Sequence, residues 1–426
     1  MSNLQDRDQK VIWHPYTQSG LGKPPIGIVR GEGVYLVGED GRKYIDAVSS
    51  WWVNIHGHSH PYIAEKVAEQ LRQLEHTIFA GFTHEPAVLL AERLLKILPA
   101  SQSRIFYSDN GSTAVEVAIK MALQFWANRD RPRLKIIAIE HAYLGDTFGA
   151  MSVSARGSFT DPFSPLLFDV IHIPFPGGIS AVLSLEKLKE IIAREKDQVA
   201  AFIFEPLVLG AGGMLMYEPG TLETMIGICR ENDILTIADE VMTGFGRTGK
   251  LFACDHINVA PDIICLSKGI TGGTMPLGLT SCSSEIYNAF LSHDRSKTFF
   301  HGHSYTANPV ACAAALASLD ILLQDKCLEN IVRISQNHQD FIQKSGRNPA
   351  LRNLRSRGTI LAMDFHNKNE TSYFNPVRDR LYDHFIEKGV LLRPLGNVVY
   401  IMPPYCITDN ELHTVYNAIE SSVSVG

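Results

Sequence analysis

The chain has 426 residues, 45% hydrophobic and 20% charged, and its 39 basic and 45 acidic side chains leave a formal net charge of −6. That length exceeds one typical core and implies two domains, or one large α/β domain with an appendage, while a slightly acidic balance without basic runs excludes a nucleic-acid footprint. No stretch approaches 18 uninterrupted apolar residues, residues 1–10 carry no signal segment, and the seven scattered cysteines form no C-x-x-C pair, which excludes a membrane span, a disulfide framework and a cysteine zinc site and predicts a cytoplasmic protein.

Residues 1–25 read as an irregular arm with one distinctive patch, His14-Pro15-Tyr16-Thr17. Short alternating runs over 27–47, punctuated by Gly31-Glu32-Gly33 and Glu39-Asp40-Gly41, predict a small antiparallel sheet. Ser49-Ser50-Trp51-Trp52 and the cluster His56-Gly57-His58-Ser59-His60-Pro61 follow. Helices are expected over 63–74 and 86–98, the second with proline at its first position. A short strand at 105–107 breaks at Ser108-Asp109-Asn110-Gly111-Ser112-Thr113, and a helix with apolar spacing runs over 113–126. Strands at 135–139, 170–173 and 200–204 then alternate with a loop at 141–151 and helices at 184–196 and 220–232. Further strands are expected at 234–238, 263–267 and 276–281, with long helices at 309–323 and 328–344. This alternation predicts an α/β fold with a mostly parallel sheet between helices. From about residue 325, strands near 359–365, 390–393 and 398–402 alternate with helices at 377–387 and 408–421, which predicts a smaller α+β domain. The expected division is 1–55 as arm and part of the small domain, 56–325 as the large domain, and 326–426 as the rest of the small domain.

The stretch 234–273 concentrates the chemistry. The apolar run 234–238 ends in Asp239-Glu240, and the run 263–267 ends in Lys268-Gly269. Continuous apolar runs of this kind read as parallel strands buried on both faces, and ligands bind at the carboxyl ends of such strands. The pair Asp239/Lys268 therefore fits either a structural ion pair or a cofactor site. In the second case the amine would form a Schiff base and the carboxylate would face a pyridinium nitrogen. Gly111-Ser112-Thr113 fits a phosphate cradle at a helix N-terminus or simple capping by Asn110 or Ser112. Gly244-Phe245-Gly246-Arg247-Thr248-Gly249-Lys250 nearly satisfies a phosphate-binding loop, but Leu251 stands where a hydroxyl would hold Mg²⁺. A tight loop carrying Arg247 is the expectation there. The histidine cluster lacks a cysteine or carboxylate at zinc spacing, so no metal is expected. Trp51, Trp52 and Tyr143 sit at the ends of expected elements and fit either core or ligand wall.

The runs 237–249 (Ile-Ala-Asp-Glu-Val-Met-Thr-Gly-Phe-Gly-Arg-Thr-Gly) and Leu266-Ser267-Lys268-Gly269 resemble the signature of the class III (ω-type) pyridoxal-phosphate aminotransferases. Ser49-Ser50-Trp51-Trp52-Val53-Asn54-Ile55-His56-Gly57, Gly145-Asp146-Thr147-Phe148-Gly149-Ala150-Met151-Ser152 and Tyr400-Ile401-Met402-Pro403-Pro404-Tyr405 are similar to one branch of that family. That branch aminates 8-amino-7-oxononanoate to 7,8-diaminononanoate in biotin biosynthesis, with S-adenosylmethionine as amino donor. The resemblance covers residues 14–405. It implies a fold-type-I transferase, a homodimer with shared active sites, pyridoxal 5'-phosphate bound in the large domain, and ping-pong transamination through Lys268 and pyridoxamine phosphate.

Carried over by position, the resemblance makes Lys268 the Schiff-base lysine and proton carrier and Asp239 the partner of the pyridinium proton. Tyr143 stacks on the ring and completes the implied catalytic set. Gly111 and Ser112 take the phosphate, helped across the dimer interface by His303 and Ser304, which follow Gly302. Trp51 and Trp52 line the channel for the nonanoate chain, Tyr16, Tyr143 and Gly302 touch substrate, and Arg393 clamps the keto-acid carboxylate. Asp146, Arg247 and Tyr400 are further candidates for polar contacts. A long apolar substrate wants aromatic walls and its carboxylate a bidentate guanidinium, so the set is chemically coherent. Three positions depart from the branch: His303-Ser304 stands where Pro-Thr is usual, Leu144 within Tyr143-Leu144-Gly145-Asp146 where His is common, and Leu209 where Gln is common. The His-Ser form resembles relatives that take the amino group from lysine, so either donor fits. A transaminase of diamines or ω-amino acids is the alternative within the family, and a silent binding protein on the same scaffold the alternative outside it.

Overall fold

The computed structural model describes residues 3–21, 23–366 and 373–424. Its centre is a seven-stranded sheet of β1 (Gln102–Ser108), β2 (Lys135–Ile139), β3 (Ile171–Ile173), β4 (Val199–Phe204), β5 (Leu235–Asp239), β6 (Ile263–Leu266) and β7 (Gly278–Ser283). The strand order is β1-β7-β6-β5-β4-β2-β3, parallel throughout except for β7, which runs antiparallel to both its neighbours. Every residue of β4, β5 and β6 is buried. Side chains alternate between faces along a strand, so both faces of the sheet are covered, which is why these runs show no polar alternation. The expected mostly parallel α/β architecture is present.

The helix Gly111–Asn128 packs across the middle of the sheet with nine buried residues, and its N-terminus is fixed by a reciprocal capping box between Asn110 and Thr113. Three smaller sheets flank this core. In one, Val390–Leu391 from near the C-terminus pairs in parallel with Lys43–Asp46 from near the N-terminus. Another joins Leu351–Arg357, Ile360–Phe365 and Val398–Ile401. Leu351–Arg357 was not anticipated, because an edge strand with three arginines and mostly half-buried side chains shows no apolar period. The expected loop at 141–151 contains the short helix Phe148–Val153, whose first N–H groups are capped by the Glu116 carboxylate. Among the described residues, no helix is long and apolar enough to cross a membrane.

Candidate active site

The register of the central sheet sets the site. Asp239 closes β5 opposite Cys265 of β6, and Lys268 follows three residues later, so a carboxylate and an amine leave the carboxyl ends of adjacent strands. Both line a cleft of about 620 Å³ together with Gly111, Ser112, Tyr143, Trp52 and Arg393. Tyr16, Trp51, Asp146 and Tyr400 border the same cleft. Gly302, His303 and Ser304 are not on its wall, and Arg247 is not a wall residue either. Its buried guanidinium lies behind Trp52, donating to the carbonyl oxygens of Trp52 (3.2 Å) and Pro403 (2.8 Å). The expectation of a substrate contact for Arg247 is corrected accordingly: it supports the wall. The Gly244–Lys250 segment is the expected tight loop, with Gly246 and Gly249 at φ 98° and 92°.

Lys268 begins a 3₁₀ turn at φ 48°, in the left-handed region, a conformation that costs a non-glycine residue on the order of 1–3 kcal/mol. Its Nζ lies 4.5 Å from the centre of the Trp52 ring. The lysine–carboxylate pairs within 4.0 Å among the described residues involve Lys23, Lys66, Lys135, Lys187 and Lys344, so Lys268 and Asp239 are not a structural ion pair. Burial lowers the Lys268 pKa, against the opposing pull of Asp239 and Glu205 and with a further push from the Arg247 charge. A larger fraction of free amine, and so of nucleophile, is present than at an exposed lysine.

The N–H groups of Gly111 and Ser112 open a helix and have no intrahelical partner, whereas Thr113 N–H is taken by the Asn110 side chain. The Ser112 hydroxyl accepts from the Asp146 N–H at 3.0 Å, docking the 143–150 loop on the helix terminus. Gly145 sits there at φ 134°, and an added Cβ would collide with Ser112. Tyr143 is held by its own backbone: its N–H donates to Glu205 at 3.0 Å. Tyr16 donates to both carboxylate oxygens of Asp146, at 2.7 and 2.6 Å, and its hydroxyl lies 3.4 Å from that of Tyr143. Burial, then the bond to Asp146, pushes the Tyr16 phenol up to about 12. Trp52 Nε1 donates to the Tyr400 hydroxyl at 3.0 Å. The Arg393 guanidinium lies 4.7 Å from the centre of the Trp51 ring and has no carboxylate partner among the described residues.

Wall residues that were not anticipated include Glu205, Val241, Phe159 and Tyr373. Glu205 directly follows β4, much as Asp239 closes β5, so the strand-end argument reaches it once it is applied to a third strand. Val241 follows Asp239 by two residues, while Phe159 and Tyr373 lie on loops that carry no sequence signal.

Glu205 and Asp239 form a buried acidic pair. Burial, then the neighbouring Asp239 charge, pushes Glu205 up to about 8, and burial pushes Asp239 up to about 7 despite the Val241 N–H and Lys268. Acids raised in the fold hold protons that the unfolded chain has released, so the ligand-free protein loses stability as pH rises from about 4.5 towards 8. The expected slope is on the order of 1 kcal/mol per pH unit near pH 6–7, and Glu205→Gln should flatten it. Urea titrations of ligand-free protein at a series of pH values check this, and an unchanged slope in the variant would remove Glu205 as its source.

The chain matches the family described as Aminotransferase class-III over residues 16–423. It is 48% identical to the adenosylmethionine-8-amino-7-oxononanoate aminotransferase of Synechococcus elongatus, over 96% of this chain and 97% of that protein. Against the protein of the same name from Geobacter sulfurreducens it is 40% identical, over 99% and 97% of the two chains. Among solved structures, the adenosylmethionine-8-amino-7-oxononanoate aminotransferase of Methanocaldococcus jannaschii superposes with a TM-score of 0.95 at 38% identity, covering 99% of each chain. The omega transaminase of Pseudomonas jessenii in complex with PMP superposes at 0.93 and 26% identity, covering 99% of each chain.

Proposed function

The chain belongs to the class III aminotransferase family, and from that premise we propose that it is a pyridoxal-phosphate enzyme that aminates 8-amino-7-oxononanoate to 7,8-diaminononanoate in biotin biosynthesis, with S-adenosylmethionine as donor. The single observation that carries this reading is the composition of one cleft. A buried strand-end carboxylate, an amine with a lowered pKa, a helix N-terminus with two N–H groups that lack an intrahelical partner, a tryptophan step and an arginine with no carboxylate partner among the described residues all face it.

These residues suit pyridoxal phosphate. Two free N–H groups and the Ser112 hydroxyl make an anion seat at the positive end of the helix dipole. Tyr143 and Val241 offer flat and branched surfaces between which a ring fits, and Asp239 waits with a buried carboxyl near neutrality. When bound, the cofactor supplies an aldehyde for amines and a ring that accepts an electron pair. The chain does the rest. Asp239 would hold a proton at the ring nitrogen. Lys268 would anchor the cofactor at rest and, when free, would serve as the base and acid that moves the substrate's proton. Trp51 and Trp52 wall the channel for the apolar chain, and Arg393 receives the terminal carboxylate in a bidentate grip. Tyr16, tied to Asp146, closes the polar side of the entrance.

The enzyme works as a homodimer in the cytoplasm. Gly302, His303 and Ser304 lie off the wall of their own cleft, between the exposed rings of Phe300 and Tyr305, and the buried His303 Nε2 has no partner among the described residues. A second copy would bring this segment to the phosphate. The seven cysteines are all free thiols, in keeping with a reducing compartment.

His303-Ser304 also favours a second reading in which lysine is the donor. Mixing the cofactor-loaded protein separately with S-adenosylmethionine and with lysine, and following the cofactor's visible absorbance, decides between them. Loss of the band with S-adenosylmethionine alone is the expected result. Loss with lysine alone keeps the product and changes the donor. A response to neither, but to a short diamine, would end the biotin reading.

A further inference from the structure

The tryptophan step stands on a backbone that should not hold by itself. Ser49, Ser50 and Trp52 have φ of 50°, 60° and 71°, three left-handed non-glycine residues within four positions, with Trp51 at φ −149° between them. Left-handed serine and tryptophan persist only where the surroundings enforce them. Ser49 donates its hydroxyl to the Met402 carbonyl at 2.8 Å, and one buried side chain adds three bonds more. Asp46, fully buried, accepts from Ser50 N–H at 2.9 Å, from the Ser50 hydroxyl at 2.9 Å and, more weakly, from Val48 N–H at 3.3 Å. Its remaining partner is His58, whose Nε2 lies 2.9 Å from Asp46 Oδ2. Asn54 donates its side-chain N–H to His58 Nδ1 at 3.1 Å, which makes Nδ1 the acceptor and leaves Nε2–H to point at Asp46. The histidine itself is pinned, its backbone N–H donating to Gly33 at 2.7 Å and its ring against Gly31, where an added Cβ would come within 2.6 Å of the His58 Cβ. Rigid elements thus fix His58, His58 fixes Asp46, and Asp46 fixes the turn.

What the turn sets is the distance between an apolar wall and a charge. Trp51 packs edge-on to Tyr16, with 5.5 Å between ring centres, and carries Arg393 over its face. Trp52 covers Lys268. A slackened turn would move the wall relative to the guanidinium that grips the far end of the substrate, while the backbone that carries Lys268 and Asp239 stays fixed by the central sheet.

We propose that Asp46 and His58 are a positioning pair that holds the strained Ser49–Trp52 turn and so sets the register in which a long apolar keto acid binds between the tryptophans and Arg393. The inference rests on the substrate reading above. It accounts for the central residue of the histidine cluster, which forms no metal group with its neighbours among the described residues.

The test compares wild type, His58→Ala and His58→Gln, each loaded with cofactor, by steady-state kinetics with 8-amino-7-oxononanoate and by near-ultraviolet circular dichroism. Glutamine can place an N–H where the imidazole Nε2–H was; alanine cannot. His58→Ala should raise KM for the keto acid about ten-fold and lower kcat no more than about two-fold, with a changed tryptophan signal and full cofactor retention. His58→Gln should return KM to within about two-fold of wild type. An unchanged KM in His58→Ala overturns the proposal, and so does an equal rise in both variants, because the donor N–H would then be irrelevant. A parallel fall of kcat and cofactor retention also overturns it, since that marks a general support of the fold. Absence of turnover in the wild type would instead sink the substrate reading on which the proposal stands.

Discussion

Lys268→Ala is expected to abolish turnover, with a loss of about 10⁴-fold or more. General acid–base transfer from a positioned side chain contributes about 10²–10⁴-fold on its own, and this variant removes the covalent anchor as well. No neighbour can substitute. The neighbouring Asp239 and Glu205 are carboxyls and cannot form a Schiff base, and the Trp52 ring offers no amine. Folding should survive the change and even gain, since it removes a buried amine whose charged form is disfavoured, while the left-handed φ stays as strained for alanine as for lysine. Borohydride treatment followed by peptide mass analysis gives a readout independent of activity: the cofactor's mass should attach to the peptide carrying Lys268 in wild type and to none in the variant. Attachment in the variant, or turnover within about ten-fold of wild type, would remove Lys268 from the proton-carrying role.

The chemistry at the strand ends was legible because two physical patterns coincide there. Buried parallel strands show as unbroken apolar runs, and the residues that end them face the ligand edge of the sheet, so Asp239 and Lys268 stand out without any partner in view. The helix N-terminus at Gly111 was equally legible, since the capping residues and the helical period adjoin. The turn at Ser49–Trp52 was not. Nothing in Ser-Ser-Trp-Trp signals left-handed backbone, and the side chains that impose it, Asp46 and His58, act through hydrogen bonds across the chain that no local period encodes. Arg247 shows the opposite failure: it stood as a candidate for polar contacts in a tight loop, yet its guanidinium is buried behind Trp52 and spent on the carbonyls of residues 52 and 403. Phe159 and Tyr373 reach the cleft on loops, where composition says little about direction.

The acids at the strand ends have separate tasks, and their partners tell them apart. Glu240 is fully buried and spends its oxygens on the Ala253 and Cys254 N–H groups at 3.0 and 2.7 Å and on the Thr243 hydroxyl, so it fastens the following loop. Glu205 is committed to Tyr143 and Gly210 N–H, both at 3.0 Å, and holds the tyrosine in place. Among the described residues Asp239 accepts only from Val241 N–H, at 3.0 Å through Oδ1, and keeps its other oxygen for the cleft. Of the three it alone is both on the wall and under-bonded. A carboxyl in that state, pushed up to about 7 by burial, is poised for a cation: a protonated ring nitrogen brought against it would draw its pKa back down and keep the ring positive.

Asp239→Asn should therefore lower kcat about 10³-fold, equivalent to about 4 kcal/mol of transition-state stabilisation, while leaving the fold intact. The amide is nearly isosteric, its oxygen can still accept from Val241 N–H, and it removes a buried acid whose ionised form is disfavoured. What it cannot do is balance a positive ring nitrogen, so the electron pair released with the substrate proton would have nowhere favourable to go. Cofactor affinity should fall less than kcat, because the helix N-terminus and Lys268 remain. Spectrophotometric titration with pyridoxal phosphate, run beside single-turnover kinetics, separates the two effects. The pH dependence adds a second check: the ligand-free wild type should lose stability across the pH range in which Asp239 ionises, and the variant should lose less. Single-turnover rates within about ten-fold of wild type would show that the ring needs no charged partner, and would leave Asp239 as packing at the end of β5.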